Sequence, residues 1–144
     1  THHSSLTTHH SPLLFDFTNC PDLAQTVVVT CAALNCIAKL TGLSTLRIKE
    51  TDRIIALQNE LCKLDFAVEV EGDDVVLRHS FERRNLYNGN ENTIKTYDDH
   101  RMAMAFAPLA LLYPIAIENP DVVIKSYPNF WEDLKLVGFE VERR

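Results

Sequence analysis

The sequence predicts an α/β (α+β) fold in which a unit of alternating strands and helices occurs about twice. Short strand-like runs alternate with longer helical patterns, and the same order recurs in the second half of the chain. Each half also has one helical pattern that is apolar nearly all round and one that is amphipathic. With 144 residues, 46% of them hydrophobic, the chain can form one domain with one buried and one exposed helix in each unit.

The first unit begins with a strand and ends with a hairpin that alternates apolar and polar residues about a Gly-Asp turn. Its long first helix is apolar nearly all round and is expected to end at Gly42. The predicted elements are a strand at 13–17, a helix at 20–40, a strand at 44–48, a helix at 51–64 and a β-hairpin within 66–79.

The second unit follows a predicted loop at 88–92 and repeats the order. Its predicted elements are a strand at 93–97, a helix at 98–113 kinked at Pro108, strand material within 115–127, a helix at 128–138 and a closing strand at 139–143. The stretch "LRIKETDR…FAVEVE" aligns with "VVIKSYPN…FEVER", which places Lys49 and Lys125 in equivalent positions. Two copies of a βαβαβ unit are therefore expected, the first with an extra hairpin strand.

Composition argues against two classes of partner. The formal net charge of −6 disfavours a general nucleic-acid binder and a protein that adheres to anionic membranes. The long uncharged run 102–117 contains two prolines and is shorter than the ~18–20 residues that span a bilayer. The four cysteines form no CxxC pair, and three lie in apolar helical patterns, so we expect reduced and mostly buried thiols.

The first twelve residues are polar, have no periodicity and contain four of the six histidines. A metal site there is conceivable, but nothing fixes the geometry of its ligands, and a flexible leader over 1–12 is the preferred interpretation. No signal-peptide pattern opens the chain, and together with reduced thiols this leads us to expect a cytoplasmic location.

Charged residues recur at the predicted strand-to-helix junctions. In alternating α/β units these junctions gather at one end, where helix N-termini add free N–H groups and partial positive charge. Cations at the same end would complete an anion site. The junction residues are Asp22; Lys49, Glu50 and Arg53; Asp99, His100 and Arg101; and Lys125.

Each junction also has an ordinary structural explanation. Asp22, Thr51 with Asp52, and either Asp98 or Asp99 are common helix N-cap residues, and Glu50 with Arg53 can form a surface ion pair. However, a cation in the first turn of a helix opposes the helix dipole by a few tenths to ~1 kcal/mol. Arg53 and Arg101 both lie in that position, which favours a role in ligand binding.

Four segments, "PDLAQT", "KETDR", "YDDHRMAMAFAPLAL" and "IKSYPNFW", resemble signature segments of the 5-enolpyruvylshikimate-3-phosphate synthase family. The resemblance extends from about Asp16 to the C-terminus, in the family's order and spacing. It implies the enolpyruvyl transferase-like fold: two domains of βαβαββ units with substrates in the cleft between them. Residues 13–144 would then be most of the C-terminal domain, without the N-terminal domain, and the full-length protein is expected to be a monomer.

The resemblance also implies the reaction and the residues that perform it. The family transfers the enolpyruvyl group of phosphoenolpyruvate to the 5-hydroxyl of shikimate 3-phosphate and releases phosphate, with no metal or organic cofactor. By their match to the family pattern, the catalytic residues are Asp22 at the shikimate hydroxyl and Glu50 at the methylene carbon. The implied substrate-binding residues are Arg53 and Arg101 for phosphoenolpyruvate, Lys125 for the leaving phosphate, Lys49 near the shikimate hydroxyls, and His100.

Two alternatives remain open at the level of sequence. A sister enzyme on the same fold transfers enolpyruvyl to a UDP-amino sugar, but it uses a loop cysteine that this pattern does not supply. The chain could also be a non-catalytic anion-binding module that retains the scaffold, because half of the cleft is missing. For the same reason, the chain alone is expected to have no transferase activity.

Overall fold

A computed structural model describes residues 11–80 and 92–143, and these ranges contain four helices and six strands. The helices are α1 (Ala24–Ala33), α2 (Arg53–Lys63), α3 (His100–Phe106) and α4 (Phe130–Leu136), with 3₁₀ segments at Pro21–Leu23, Ser44–Ile48, Ala107–Leu111 and Pro120–Val123. The strands are β1 (Leu13–Asp16), β2 (Ala38–Thr41), β3 (Val68–Glu71), β4 (Asp74–Leu77), β5 (Asn92–Ile94) and β6 (Ile115–Ile117).

The strands form two sheets, one for each predicted unit. The first sheet has the order β1-β2-β4-β3, in which β1 and β2 are parallel and the β3–β4 hairpin adds antiparallel strands. The first six elements therefore follow the order βαβαββ, as predicted. In the second unit β5 and β6 are parallel, and α3 lies between them along the chain.

Helices α1, α2 and α3 share one main core. Helix α1 packs against α2 and α3, so the two helices that the sequence predicts to be buried contact each other. Fully buried side chains from α2 and α3 fill this core, among them Ile54, Leu57, Leu61, Met102 and Phe106. A smaller cluster joins α3 to α4 through Ala103, Ala107, Val123 and Phe130.

Several predicted elements are confirmed. The strand at 13–17, the amphipathic helix at 51–64, the hairpin and the helix at 128–138 correspond to β1, α2, β3–β4 and α4. The predicted kink at Pro108 is a change from α-helix to 3₁₀ helix, since α3 ends at Phe106 and the 3₁₀ segment begins at Ala107.

The prediction of one helix over 20–40 is wrong. Helix α1 ends at Ala33, and Asn35 adopts a left-handed conformation with φ 55°, which stops the helix before Gly42. Residues 38–41 then form β2, the strand between β1 and β4, with Ala38 and Leu40 buried. The sequence analysis missed this strand because a short buried strand and a buried helix segment have the same apolar composition.

The predicted strand at 44–48 is a 3₁₀ segment. Leu43 and Leu46 are both buried and lie three residues apart, which matches the 3₁₀ repeat rather than the alternation of a strand. The Leu46 N–H donates to Leu43 O at 2.8 Å. The strand of this unit lies just upstream as β2, and Gly42, with φ 74°, makes the turn between the two segments.

The closing strand predicted at 139–143 is also wrong, since these residues have no regular secondary structure. A strand requires a neighbour for its backbone groups, and in the described part of the chain β5 and β6 pair only with each other. The predicted leader at 1–12 and loop at 88–92 fall largely outside the described residues, and Asn92 already belongs to β5.

The cysteines are all free thiols, but they are less buried than expected. Cys31 is buried and Cys36 is half-buried, whereas Cys20 and Cys62 are exposed. Cys62 lies on the solvent side of the amphipathic helix α2, so an apolar helical pattern was a poor guide to its burial. Within residues 11–80 and 92–143, none of the helices has the length and apolar character needed to cross a membrane.

Candidate active site

The guanidinium group of Arg53 is the centre of a cluster of charged residues. Arg53 is the first residue of α2 and is 2% exposed. Its Nε donates to Asp99 Oδ2 at 2.5 Å, and its Nη1 donates to Asp22 Oδ1 at 2.8 Å. Its Nη2 donates to Glu50 Oε2 at 2.7 Å. These carboxylates compensate for a cation at a helix N-terminus.

Asp99 links the start of α3 to the start of α2. Its side chain is fully buried and also approaches Arg53 Nη2 with its second oxygen, at 3.3 Å, so the pair is bidentate. The same oxygen caps α3 by accepting the Arg101 backbone N–H at 2.8 Å. One carboxylate therefore orients Arg53 and sets where α3 begins.

Asp22 connects the same arginine to two further cations. It lies in the 3₁₀ segment before α1, and its carboxylate is 3.6 Å from Lys49 Nζ and 3.4 Å from Arg101 Nη2. Arg101 Nη1 also donates to the backbone carbonyl of Asp22 at 3.1 Å. Contacts of Asp22 thus bring together three of the predicted junctions.

The three carboxylates differ in their access to solvent. Asp99 is 0% exposed, whereas the side chains of Asp22 and Glu50 are 41% and 50% exposed. An anionic ligand that enters from solvent can therefore replace Asp22 or Glu50 on Arg53, while Asp99 remains behind the guanidinium. The inner carboxylate holds the arginine, and the outer two occupy positions that a ligand carboxylate can take.

The charges in the cluster around Arg53 balance. Three cations face three carboxylates: Lys49, Arg53 and Arg101 against Asp22, Glu50 and Asp99. Strong anion binding therefore requires displacement of an outer carboxylate, or additional cations from elsewhere in the protein. Anion binding at this end of the domain stays a prediction.

The pKa values of the two outer carboxylates are both lowered. Burial works to raise the pKa of Asp22, but the positive charges around it, first Arg101 and then Lys49, hold it below its ordinary value. A hydrogen bond from its own backbone lowers the pKa of Glu50; burial opposes this, and the charge of Arg53 adds to it. Both groups are therefore carboxylates at neutral pH.

Two predicted site residues lie outside the hydrogen-bonded centre. His100 follows Asp99 at the start of α3, with Nδ1 3.9 Å from Asp99 Oδ1. Lys125 is exposed and follows the 3₁₀ segment 120–123, much as Lys49 follows the 3₁₀ segment 44–48. The ion pairs described for the cluster do not include Lys125.

Arg47 contacts the residue that precedes Arg53, and the sequence analysis did not identify it. Its Nη1 donates to Asp52 Oδ2 at 2.9 Å and its Nε donates to Asp73 Oδ1 at 2.6 Å. Asp52 caps α2 by accepting the N–H groups of Ile54 and Ile55, as the sequence indicates. Arg47 therefore fixes the cap that precedes Arg53, through a hairpin contact that no local pattern reveals.

The cluster suits ion pairing and proton transfer. No group of three or more histidine, cysteine, aspartate or glutamate side chains within residues 11–80 and 92–143 could hold a metal ion. The outer carboxylates lie beside guanidinium and ammonium groups that can bind an anionic substrate. Such an arrangement can hold an anion and exchange a proton with it.

Comparison with known proteins identifies the family. Residues 3–134 match the family model described as EPSP synthase (3-phosphoshikimate 1-carboxyvinyltransferase). The chain belongs to the EPSP synthase family. This confirms the resemblance in the "KETDR" and "DHRMAM" segments, which supply most of the cluster around Arg53.

Relatives in the EPSP synthase family are much longer than this chain. The 3-phosphoshikimate 1-carboxyvinyltransferase of Bacteroides fragilis (strain ATCC 25285) is 50% identical over 128 residues, which are 88% of this chain and 30% of that protein. The Clostridium kluyveri protein of the same name is 35% identical over 132 residues, 90% of this chain and 30% of its own length. The chain thus spans about 30% of these relatives.

A solved EPSP synthase structure confirms the α/β fold class. The structure of EPSP synthase from Acinetobacter baumannii has a TM-score of 0.67 and 25% sequence identity with this chain. The similarity covers 85% of this chain and 28% of the solved one. The fold of this chain therefore resembles part of a longer solved EPSP synthase chain.

Proposed function

We propose that the full-length protein containing this chain transfers the enolpyruvyl group of phosphoenolpyruvate to the 5-hydroxyl of shikimate 3-phosphate and releases phosphate. The observation that carries this proposal is the arrangement of Asp22 and Glu50 on a single buried arginine, with Arg101 and Lys49 beside them. The reaction needs cations for an anionic substrate and carboxylates for two proton transfers, and membership of the family supports the same activity.

Glu50 is the group proposed to exchange a proton with the methylene carbon. In the free chain its pKa is lowered, and Arg53 contributes to this shift. When the carboxylate of phosphoenolpyruvate takes its place on Arg53, Glu50 loses a cation and gains an anionic neighbour. Both changes raise its pKa and favour the protonated form that can donate to carbon.

Asp22 is the group proposed to accept the proton of the 5-hydroxyl. Arg101, Lys49 and Arg53 keep it ionised, which suits a base. Arg53 and Arg101 are proposed to bind the carboxylate of phosphoenolpyruvate, and Lys125 the leaving phosphate. Lys49 and His100 are proposed contacts to the shikimate ring or to the groups around it.

The remaining length of the relatives supports a two-domain enzyme. Residues 13–144 are proposed to be most of its C-terminal domain, and a second domain would provide the facing wall of the cleft and further cations. The charge balance of the cluster supports this, because its three cations are matched by three carboxylates and, among the proposed binding cations, Lys125 alone is left for a phosphate. We further propose that the enzyme is a cytoplasmic monomer.

The test is turnover by the purified full-length protein. With phosphoenolpyruvate and shikimate 3-phosphate, we expect phosphate release and a product that carries the enolpyruvyl group, detected by NMR. The 144-residue chain alone should give no turnover, because half of the positioning groups are missing. Release with a UDP-amino sugar instead would assign the sister activity, and binding without turnover on either acceptor would indicate a non-catalytic module.

Two matched variants connect that activity to the cluster. Glu50→Gln should abolish most turnover. Glu69→Gln removes a glutamate of similar exposure that pairs with Arg78 on the β3–β4 hairpin, and it should leave turnover unchanged. Equal activity in both variants would show that Glu50 has no role in proton transfer.

A further inference from the structure

Glu60 is a buried carboxylate that the proposed reaction does not use. It lies on α2 about two turns after Arg53, is 1% exposed and pairs with Lys63. Its Oε1 accepts the Tyr97 hydroxyl at 2.7 Å, and its Oε2 accepts the Lys95 backbone N–H at 3.0 Å. Both donors belong to the segment that joins β5 to α3.

That segment contains a strained turn. Thr96 O accepts the Asp99 N–H at 2.9 Å, and the two residues between them, Tyr97 and Asp98, have φ of 55° and 56°. Positive φ at both central positions is the pattern of a type I′ turn, which favours Asn and Gly and suits a tyrosine poorly. A turn with these residues needs contacts from outside to keep its conformation.

The contacts from outside come from both sides of the turn. Asn119 Nδ2 donates to Asp98 Oδ1 at 2.9 Å, on the side of β6. Tyr97 donates to Glu60 on the side of α2. Burial and then the Glu60 carboxylate raise the pKa of Tyr97, so its hydroxyl stays a donor at neutral pH.

The residue that follows the strained turn is Asp99, the inner partner of Arg53. Helix α2 therefore contacts the start of α3 at two points, Arg53 with Asp99 and Glu60 with residues 95–97. Relaxation of the turn would move the Asp99 carboxylate and, with it, the Arg101 N–H that Asp99 caps. Both arginines of the cluster depend on this geometry.

We propose that Glu60 is a positioning residue, which keeps Asp99 on Arg53 by holding the turn through Tyr97 and Lys95. Glu60 does not touch a substrate in this proposal and acts through the turn. Its effect on kinetics rests on the proposed function, whereas its effect on the Arg53–Asp99 pair does not.

The kinetic test uses Tyr97→Phe, Glu60→Met and the double variant in the full-length protein, since methionine has about the volume of glutamate but neither carboxylate oxygen. Loss of one buried hydrogen bond should raise KM for phosphoenolpyruvate about 3- to 10-fold, with a smaller change in kcat. Because Glu60→Met removes the acceptor of the bond whose donor Tyr97→Phe removes, the double variant should be little worse than Glu60→Met. Val75→Ala in β4 is the matched control, since it destabilises the core without touching the turn.

A second measurement is independent of activity. In protein labelled with ¹⁵N-arginine, the Arg53 Nε–H signal, assigned with Arg53→Lys, should exchange slowly with solvent because it donates to a buried carboxylate. Tyr97→Phe should accelerate this exchange at least several-fold relative to Val75→Ala. The tyrosine variant changes one hydroxyl, so it remains informative if Glu60→Met fails to fold.

The outcomes separate the two proposals. The inference holds if both KM and Arg53 exchange change in Tyr97→Phe and not in Val75→Ala. It is overturned if either quantity in Tyr97→Phe matches the control. Absence of turnover in the unmutated protein contradicts the proposed function alone, and Arg53 exchange then decides the role of Glu60.

Discussion

The difference in burial between Asp99 and Asp22 predicts a large difference in what each contributes to stability. Asp99→Asn leaves a buried guanidinium facing an amide, and removal of one partner of a buried ion pair costs about 3–5 kcal/mol. Because Arg53 keeps Asp22 and Glu50, we expect the lower limit, about 3 kcal/mol. For a chain of this size that lowers Tm by about 10 °C.

Asp22→Asn is the matched comparison, because it removes a carboxylate from the same arginine. Its side chain is 41% exposed, and exposed ion pairs contribute roughly 0.2–1 kcal/mol, so Tm should fall by about 3 °C or less. Thermal unfolding of the 144-residue chain, followed by circular dichroism, measures both shifts. Equal shifts, or a larger one for Asp22→Asn, would refute the division into an inner and two outer carboxylates.

Other predictions concern catalysis, pH and packing. In the full-length protein Glu50→Gln should lower kcat by about 10²–10⁴-fold and suppress deuterium exchange into the methylene group of phosphoenolpyruvate. Arg101→Ala should mainly raise KM for phosphoenolpyruvate. The same kinetic pattern in both variants would contradict separate roles in proton transfer and substrate binding. Because folding lowers the pKa of Asp22, its carboxylate stabilises the folded chain above pH ~4, and this contribution is lost as pH falls below that value. In urea unfolding, the free energy of unfolding of Asp22→Asn should therefore fall less steeply below pH ~4 than that of the unmutated chain. Gln25 is buried and its side-chain amide has no hydrogen-bond partner in the described part of the chain. Gln25→Met should therefore raise Tm by about 3–6 °C, and an unchanged or lower Tm would indicate that the amide is satisfied.

Local sequence patterns predicted an element correctly where its periodicity agrees with its burial in the structure. Helix α2 has an amphipathic pattern and an aspartate cap, and the β3–β4 hairpin has alternating residues about a Gly-Asp turn, so both were predicted correctly. The pattern failed at β2, whose residues are as apolar as the helix before them. A buried strand of four residues has no periodic signal to separate it from a helix, and only its pairing with β1 and β4 defines it.

The sequence by itself determined the family, the βαβαββ order and the residues at the junctions, because short motifs and local periodicity carry this information. The pairing of those residues was decided by the tertiary structure. Arg53 bonds Asp99 across 46 positions and Glu60 accepts a hydrogen bond from Tyr97 across 37, and no local pattern reveals either pairing. Which carboxylate is buried and which is exposed depends on how α1, α2 and α3 pack, and burial sets whether a charge stabilises the fold or remains available to a ligand.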